Sequence, residues 1–499
     1  MKKLMIIMLF IVNIFSFTYA TTDFRGTWVA TVYNLDYPSN QITDSFKLKA
    51  EAISILNNTK DMGLNAVFLQ VRPSADSFYN SSIFPWSKYL TGNSGVAPNN
   101  NFDPLKFWIE EAHKRGIELH AWINPYRITK NGDEEYNLIS KNSPAKLHPE
   151  YVVKYSDGNY YFNPGIPEVR QLVVDGASEI AKNYKVDGIH LDDYFYPGSN
   201  FDDVDTYKKY GGNFSNIDDW RRNNVNLLIK ELSEEIHKID KGISFGVSPS
   251  GIWANSKNNS LGSNTTGTES YYSHYADSRK WAIDGIIDYI APQIYWERGN
   301  NYADYITLVN WWADVVKNST TKLYIGLADY RTVDAKKDSV WYNGKEIAEE
   351  MKINHESKII SGEIHYRFSS LIQNKSLYSL LKDRYKNNEI IVYANDKKVK
   401  FDEVPFIENN RTLVPLRAIF EALGATVDWG NNTVTAEKGN TTISIKIGSK
   451  EMIVNGKSVK LDVAARIKNN RTFVPLRAVS EAFNNTVDWD GENKVITIK

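Results

Sequence analysis

Two adjacent aspartates, Asp192 and Asp193, offer the clearest acid–base chemistry in the sequence. They end an apolar run in which Ile189 and Leu191 alternate with His190. Side chains of a strand alternate between its two faces, so Asp192 shares a face with His190 and Tyr194. Two neighbouring carboxyl groups can divide the roles of proton donor and of nucleophile or base, which is the chemistry that hydrolysis of a glycosidic bond requires.

The same alternation places further polar and aromatic side chains near the ends of other apolar runs. We predict that Asp192 acts as nucleophile or base, and that Glu297 or Asp193 is the proton donor. The residues predicted to bind or orient a sugar are Gln70, Arg72, His120, Trp122, Asn124, His190, Tyr194, Gln293, Tyr295 and Trp296. The alternation in the last run also predicts that Glu363, His365 and Arg367 point inward.

Four of these residues also have a simpler interpretation. Asp193 could cap a turn before Pro197, and His120 and His190, taken singly, are more often hydrogen-bonded core residues than catalytic groups. Glu297 could be a surface residue beyond the end of its strand. The spacing of the histidines and carboxylates does not require a metal, so we expect neither a metal site nor a cofactor.

Eight short apolar or β-branched runs, separated by helical patterns, are available to position these side chains. Strands that alternate with helices indicate parallel βαβ units, and eight such units predict a closed (β/α)8 barrel of the α/β class. In this fold catalytic residues lie at the carboxyl ends of the strands. A doubly wound open sheet is the alternative, but no glycine-rich phosphate loop follows the first strand. The predicted strands are 25–32, 66–72, 118–125, 188–194, 244–250, 289–297, 322–330 and 362–369.

The N-terminal residues are typical of a secretory signal peptide. A basic start, Lys2-Lys3, precedes an apolar run and a small-residue cleavage site that ends at Ala20. We therefore expect residues 1–20 to be removed and the mature protein to be secreted, without a membrane span. The chain has no cysteine, which excludes a disulfide framework and a lipid anchor on a cysteine.

The charge of the chain is balanced, with 59 basic and 60 acidic residues and a formal net charge of −1. This balance argues against nucleic acid as a partner, because a polyanion is bound through an excess of basic side chains. Aromatic residues make up 13% of the chain, including 30 Tyr and 13 Trp, and flat rings suit the faces of sugars.

The C-terminal segment, residues 390–499, contains an internal duplication. The sequence NRTLVPLRA at 410–418 recurs as NRTFVPLRA at 470–478, and each copy continues through a short helix to TVDW, at 426–429 and 486–489. This segment resembles the bacterial surface module named after the N-terminal domain of copper amine oxidases. It holds no histidine or cysteine for copper, so we expect a smaller α+β module that serves in wall association or as a spacer.

Several long motifs in residues 21–381 resemble the glycosyl hydrolase-like 10 family of exported (β/α)8 proteins. The motifs are FRGTWVATV at 24–32, LQVRPSAD at 69–76, HAWINPYR at 120–127, DGIHLDDYFYP at 187–197 and APQIYW at 291–296. The resemblance implies cleavage of glycosidic bonds in bacterial cell-wall glycan, in particular peptidoglycan strands without their peptides. It also implies that the Asp-Asp motif of the family corresponds to Asp192 and Asp193.

Two other functions remain open at this point. The substrate could be another extracellular polysaccharide, or the barrel could bind wall glycan without cleaving it. Within the enzymatic interpretation, the separation of the two carboxyl groups decides the stereochemistry, with about 5 Å for retention and roughly 6.5 to 9.5 Å for inversion.

Overall fold

The computed structural model describes residues 24–386, 390–401, 403–409, 411–430, 432–468, 471–491 and 494–499. The predicted signal peptide, residues 1–20, lies outside this range. The described chain forms two compact units, one that ends at Lys386 and one that comprises the residues from 390 onward. Within the described residues, no helix has the length and apolarity needed to cross a bilayer.

The first unit is a closed barrel of eight parallel strands, each hydrogen-bonded to its neighbours in chain order, with the last strand paired to the first. This confirms the (β/α)8 fold. The barrel strands are β1 (Phe24–Val29), β2 (Ala66–Arg72), β3 (Glu118–Ile123), β4 (Gly188–Leu191), β5 (Ser244–Val247), β6 (Tyr289–Ile290), β7 (Lys322–Leu327) and β8 (Ile360–His365).

One principal helix follows each barrel strand. Side-chain caps fix the starts of several of them: Asp44, for example, accepts hydrogen bonds from the backbone of Phe46 and Lys47 at the start of the first helix. The helices are α1 (Ser45–Asp61), α2 (Pro104–Lys114), α3 (Pro167–Asn183), α4 (Ile217–Ile239), α5 (Ser278–Ile283), α6 (Tyr305–Val316), α7 (Lys345–Glu356) and α8 (Lys375–Leu381).

The loops beyond the carboxyl ends of the strands contain additional short elements. Short helices span Lys88–Thr91, Gly132–Leu138, Pro144–Leu147, Val204–Tyr210, Ser270–Ser273 and Phe368–Gln373, and a hairpin joins Val152–Lys154 to Tyr160–Phe162. Seven of the eight strands end earlier than the sequence predicted, most clearly β6, which has two residues, whereas β2 ends at Arg72 as predicted. The segments that carry Asp192 and Gln293 are therefore loops at the mouth.

Large rings fill the interior of the barrel. Phe24, Phe68 and Tyr289 pack inside together with His120. Small residues make room for them: a Cβ atom on Gly188 would lie 2.1 Å from Nδ1 of His120. Since the interior is filled below the mouth, a substrate can enter only from the end at which the strands finish.

The prediction that Arg72 points inward is wrong. The pairing of β2 with β3 shifts between Gln70 and Arg72, so a bulge turns Arg72 to the helix side of the sheet. There its guanidinium lies 3.7 Å from the ring centroid of Phe84, and a Cβ atom on Gly176 in α3 would lie 2.4 Å from its Nη1 atom. Arg72 is a buried packing residue behind the barrel wall and does not contact a sugar at the mouth.

The orientation predicted for the last strand is also reversed. Ile364 belongs to the interior ring cluster, so Glu363 and His365 face the surrounding helices. His365 Nδ1 lies 2.9 Å from Asp329 Oδ1, and Glu363 accepts a hydrogen bond from Tyr385. These polar side chains satisfy one another outside the barrel, which explains how they can be buried away from the mouth.

The second unit is rich in β-strands, as predicted, and its two repeats pair at its centre. Arg411–Pro415 lies antiparallel to Arg471–Pro475, and each strand is extended by a hairpin partner from its own repeat. Helices Leu416–Ala422 and Leu476–Ala482 follow these two strands. The remaining strands are Ile391–Ala394, Lys397–Lys398, Phe406–Glu408, Thr426–Gly430, Thr433–Lys438, Thr441–Lys446, Glu451–Val454, Lys457–Lys460, Arg466–Lys468, Val487–Asp490 and Val495–Ile498.

Candidate active site

A cavity of about 420 Å³ opens at the carboxyl ends of the barrel strands. Seven of the residues predicted to form the site line it, including both aspartates. The lining residues are Trp28, Trp122, Asp192, Asp193, Tyr194, Ser248, Ser250, Gln293, Tyr295, Trp296, Tyr330, Arg331 and Tyr366. The combination of two carboxyl groups, an amide and a wall of aromatic rings matches the chemistry predicted for this end of the barrel.

A chain of amide side chains holds Asp192 in a fixed orientation. The backbone N–H groups of Thr31 and Val32 both donate to Gln70 Oε1, at 3.0 Å. Gln70 Nε2 therefore faces Asn124 Oδ1, at 2.7 Å, and Asn124 Nδ2 donates to Asp192 Oδ2. Since the two backbone donors set the direction of every bond, Asp192 receives an N–H group, which favours its ionised form.

Gln70 and Asn124 were predicted to contact sugar, but they do not line the cavity. They lie behind Asp192, so the structure gives them a positioning role. Arg127 strengthens the same arrangement: its Nη2 atom donates to Asn124 Oδ1 at 3.0 Å, and its Nε atom donates to the carbonyl oxygen of Pro73 at 2.8 Å.

The environment raises the pKa of both aspartates above the usual range. For Asp192 the main cause is burial, and the negative charge of Asp193 adds to it. For Asp193 burial is also the main cause, while a hydrogen bond with Gln293 and the charge of Arg127 act in the opposite direction. A pair of this kind shares a proton in the mildly acidic to neutral range, as acid–base catalysis by two carboxyl groups requires.

We expect Asp192→Asn to stabilise the fold at high pH. A carboxyl group whose pKa is raised by folding costs no stability below its unfolded pKa and becomes destabilising as the pH rises through its folded pKa. The variant has no such charge, so its melting temperature should exceed that of the parent at pH 8. The advantage corresponds to about 1.4 kcal/mol for each unit of pKa shift.

Thermal melts at pH 8 and pH 4, followed by circular dichroism, measure this effect. The difference should disappear at pH 4, where both proteins are uncharged at position 192. The exposed Asp338 provides a control, since Asp338→Asn should change the melting temperature little at either pH. Equal melting temperatures of Asp192→Asn and the parent at pH 8 would contradict the assignment.

His120 and His190 lie below the cavity and do not line it. Nδ1 of each imidazole lies within 3.2 Å of the hydroxyl oxygen of Tyr289, and Trp28 Nε1 donates to His190 Nε2 at 3.2 Å. Burial lowers the pKa of His190 well below its usual value, so its ring is neutral. The prediction that these histidines bind sugar is not supported by their positions, because both pack against Phe68 inside the barrel.

Glu297 also lies outside the cavity. Strand β6 ends at Ile290, and the loop that follows brings Gln293, Tyr295 and Trp296 to the cavity but turns Glu297 away. Its carboxylate accepts a hydrogen bond from Asn300 Nδ2 at 2.8 Å. Glu297 therefore does not have the position that a proton donor needs, and Asp193 remains as the carboxyl group next to Asp192.

Six lining residues were not among those predicted to form the site: Trp28, Ser248, Ser250, Tyr330, Arg331 and Tyr366. Tyr330 and Arg331 follow β7, so the rule that placed Asp192 at the end of β4 could have found them. Tyr366 was missed because the orientation of β8 was reversed. Trp122 lies in the cavity wall as predicted, and its buried Nε1–H has no hydrogen-bond partner within the described chain.

Comparison with known proteins identifies the family of the chain. The model of the glycosyl hydrolase-like 10 family matches residues 23–343, and that of the copper amine oxidase N-terminal domain matches residues 393–498. The chain is 43% identical over 358 residues to glycosyl hydrolase YngK of Bacillus subtilis (strain 168), which covers 70% of this chain and 69% of the relative. It is 40% identical over 383 residues to glycosyl hydrolase DigH of Escherichia coli (strain K12), which covers 72% of this chain and 87% of the relative.

Solved structures with a similar fold include the PgaB (BpsB) glycoside hydrolase domain from Bordetella bronchiseptica, at 14% identity and a TM-score of 0.49. That match covers 72% of this chain and 98% of the other. On the strength of the family model and the two sequence relatives, the chain belongs to the glycosyl hydrolase-like 10 family and is a glycosidase.

Proposed function

We propose that the protein is an exported enzyme that cleaves the glycan strands of peptidoglycan after their peptides have been removed. The observation that carries the proposal is the cavity at the mouth, in which the Asp192 and Asp193 carboxyl groups face aromatic walls and one guanidinium group, that of Arg331. The rings suit the faces of sugars, and the carboxyl groups suit the cleavage of the bond between them.

The hydrogen bonds around Asp192 suggest how the two carboxyl groups divide the work. Asn124 donates to Asp192, and this hydrogen bond favours the ionised form of Asp192. The pKa shifts oppose this order, since the pKa of Asp192 is raised to about 7 and that of Asp193 to about 6. We assign the shared proton to Asp193 on the fixed direction of the hydrogen bond from Asn124. Asp193 donates that proton to the glycosidic oxygen as the bond to the leaving sugar breaks. Asp192 acts at the anomeric carbon, either directly as a nucleophile or by taking a proton from the attacking water.

The charge at the cavity supports a strand without peptides as substrate. Hydrolysis of the bond between a muramic acid residue and its peptide leaves a free carboxylate on every second sugar. Among the described residues that line the cavity, Arg331 alone carries a positive charge, and its side chain is exposed. A guanidinium group pairs well with a carboxylate, whereas an attached peptide would remove that charge and add bulk.

The proposal is tested by incubating the mature protein and its Asp192→Asn variant with intact sacculi, amidase-stripped peptidoglycan strands and starch. Mass spectrometry then identifies the soluble products. We expect saccharides from the stripped strands alone, and from the parent alone. Release from starch, or from none of the three substrates, would move the assignment to another extracellular polysaccharide.

Arg331→Ala should weaken the binding of stripped strands while leaving the chemical step intact. An exposed ion pair with a ligand contributes on the order of 1 kcal/mol, so we expect KM to rise by roughly fivefold with little change in kcat. The matched substrate is the same strand with its carboxylates converted to methyl amides, for which parent and variant should have similar KM values. An equal rise in KM on both substrates would show that Arg331 does not bind the carboxylate of the strand.

Export and wall association complete the proposal. The basic and apolar N-terminal segment supports secretion, and the C-terminal module supports residence at the wall, close to the substrate. Fractionation of the producing cell with an antibody against the barrel would test both: recovery in the cytoplasm would contradict export.

A further inference from the structure

The duplicated C-terminal module contains two clefts built from equivalent residues. The first cleft has a volume of about 580 Å³ and the second about 970 Å³. Eight of the nine residues that line the first cleft have their counterpart, 60 positions away in sequence, in the lining of the second. Those eight pairs are Pro415 and Pro475, Leu416 and Leu476, Arg417 and Arg477, Val427 and Val487, Trp429 and Trp489, Ile467 and Ile407, Arg471 and Arg411, and Thr472 and Thr412.

The pairing of the two repeats explains this equivalence. In the central antiparallel pair, Val414 lies opposite Val474, and Leu413 and Pro415 lie opposite Pro475 and Phe473. The register relates the repeats by an approximate two-fold axis through the valine pair. Each cleft therefore takes its helix start and its tryptophan from one repeat and its Arg-Thr pair from the other.

Each cleft presents a flat ring beside guanidinium groups. Trp429 is 47% exposed and Trp489 is 36% exposed, although tryptophan is usually among the more buried residues. Arg417 lies with Trp429 in the first cleft and Arg477 with Trp489 in the second, and both arginines are exposed. Neither tryptophan belongs to the hydrophobic core of the module. Packing of the core therefore does not explain why both copies of the repeat carry an exposed ring at this position.

We propose that these two clefts are glycan-binding sites for a polysaccharide strand that carries carboxylates. A sugar ring would stack on the indole while Arg417 or Arg477 pairs with the carboxylate. Arg411 in the second cleft already forms an ion pair with Asp462, 2.6 Å from its Nε atom, so recognition of the carboxylate is assigned to the exposed Arg417 and Arg477. Because there are two equivalent clefts on one module, a strand with a regular repeat can engage both, and a long strand is then held more tightly than a short one.

The proposal goes beyond the activity of the barrel, since binding by the module does not depend on which bond the barrel cleaves. Binding is measured on the full mature chain with Asp192→Asn, so that no substrate is consumed. The probes are amidase-stripped peptidoglycan strands, the same strands with their carboxylates converted to methyl amides, and wall polymers rich in phosphodiesters. Sedimentation with insoluble strands gives the bound fraction as a function of protein concentration.

We expect Trp429→Ala or Trp489→Ala alone to weaken binding of stripped strands a few-fold, and the two together to weaken it by about tenfold or more. Arg417→Glu with Arg477→Glu should weaken binding to a similar degree without touching the rings. The matched control is Lys446→Glu with Lys457→Glu, which reverses the same number of exposed charges on the same module outside both clefts. This control should bind like its Asp192→Asn background.

Three results would overturn the proposal. The first is unchanged binding by the double tryptophan variant, provided that its circular dichroism and melting match those of the background. The second is equal binding of stripped strands before and after amidation, which would exclude recognition of the carboxylate. The third is a preference for the phosphodiester polymers that persists when the strand carboxylates are present.

Discussion

Replacement of Asp192 by asparagine is expected to lower kcat/KM on stripped strands by a factor of about 10³ to 10⁴. The side chain has nearly the same shape, and Asn124 Nδ2 can still donate to its oxygen, so the hydrogen-bonded chain from Thr31 to position 192 is preserved. What is lost is the negative charge at the anomeric carbon. The loss should therefore fall on kcat, while KM changes little.

The measurement is the initial rate of reducing-end release over a range of strand concentrations, with Asp338→Asn as the matched control. The same Asp192→Asn preparation should be more stable than the parent at pH 8, so that inactivity cannot be attributed to unfolding. Turnover within tenfold of the parent would remove Asp192 from the mechanism.

Replacement of Asp193 by asparagine should cause a loss of similar size on natural strands, but with a different dependence on the leaving group. If Asp193 is the proton donor, a substrate whose leaving group needs no proton, such as a nitrophenyl glycoside, should recover most of the lost rate in this variant. The same substrate should not rescue Asp192→Asn. Rescue of Asp192→Asn in place of Asp193→Asn would reverse the two roles.

The pH profile gives a second test of the same pair. In the parent, kcat/KM should fall with rising pH as the donor loses its proton, and with falling pH as Asp192 gains one. Asp193→Asn removes the proton donor, so its alkaline limb should flatten. Its acid limb should stay in place, because Asp193 is already neutral at the pH at which Asp192 gains its proton.

The sequence was sufficient to predict the barrel because few other folds accommodate eight apolar runs that are separated by helical patterns. It also placed Asp192 at the mouth of the barrel, where the structure has it, since the end of β4 lies there whether the strand stops at Leu191 or later. Gln293, Tyr295 and Trp296 were predicted correctly to lie at the mouth for the same reason. The loop that carries them starts at the carboxyl end of β6, so its first residues must lie at the mouth.

The errors arose where the alternation of side chains between the two faces of a strand was assumed to continue through a bulge or past the end of the strand. A bulge in β2 turns Arg72 outward, and the residues around Val71 contain no glycine or other type that would predict a bulge. In β8 the polar residues face the helices because Asp329 and Tyr385, distant in sequence, supply partners for them. Glu297 was counted as a strand residue, although β6 ends seven positions earlier, at Ile290.

The parallel pair formed by the first and last strands of the C-terminal module has a mechanical consequence. Ile391–Ala394 lies beside Val495–Ile498 in parallel register, so a pull on the start of the first strand and on the end of the last would slide one strand along the other. Such a load is carried by the backbone hydrogen bonds of the pair together, whereas opening from one end would break them one at a time. A tensile force applied along the chain at these two ends would thus load the pair of strands in the direction in which it resists best.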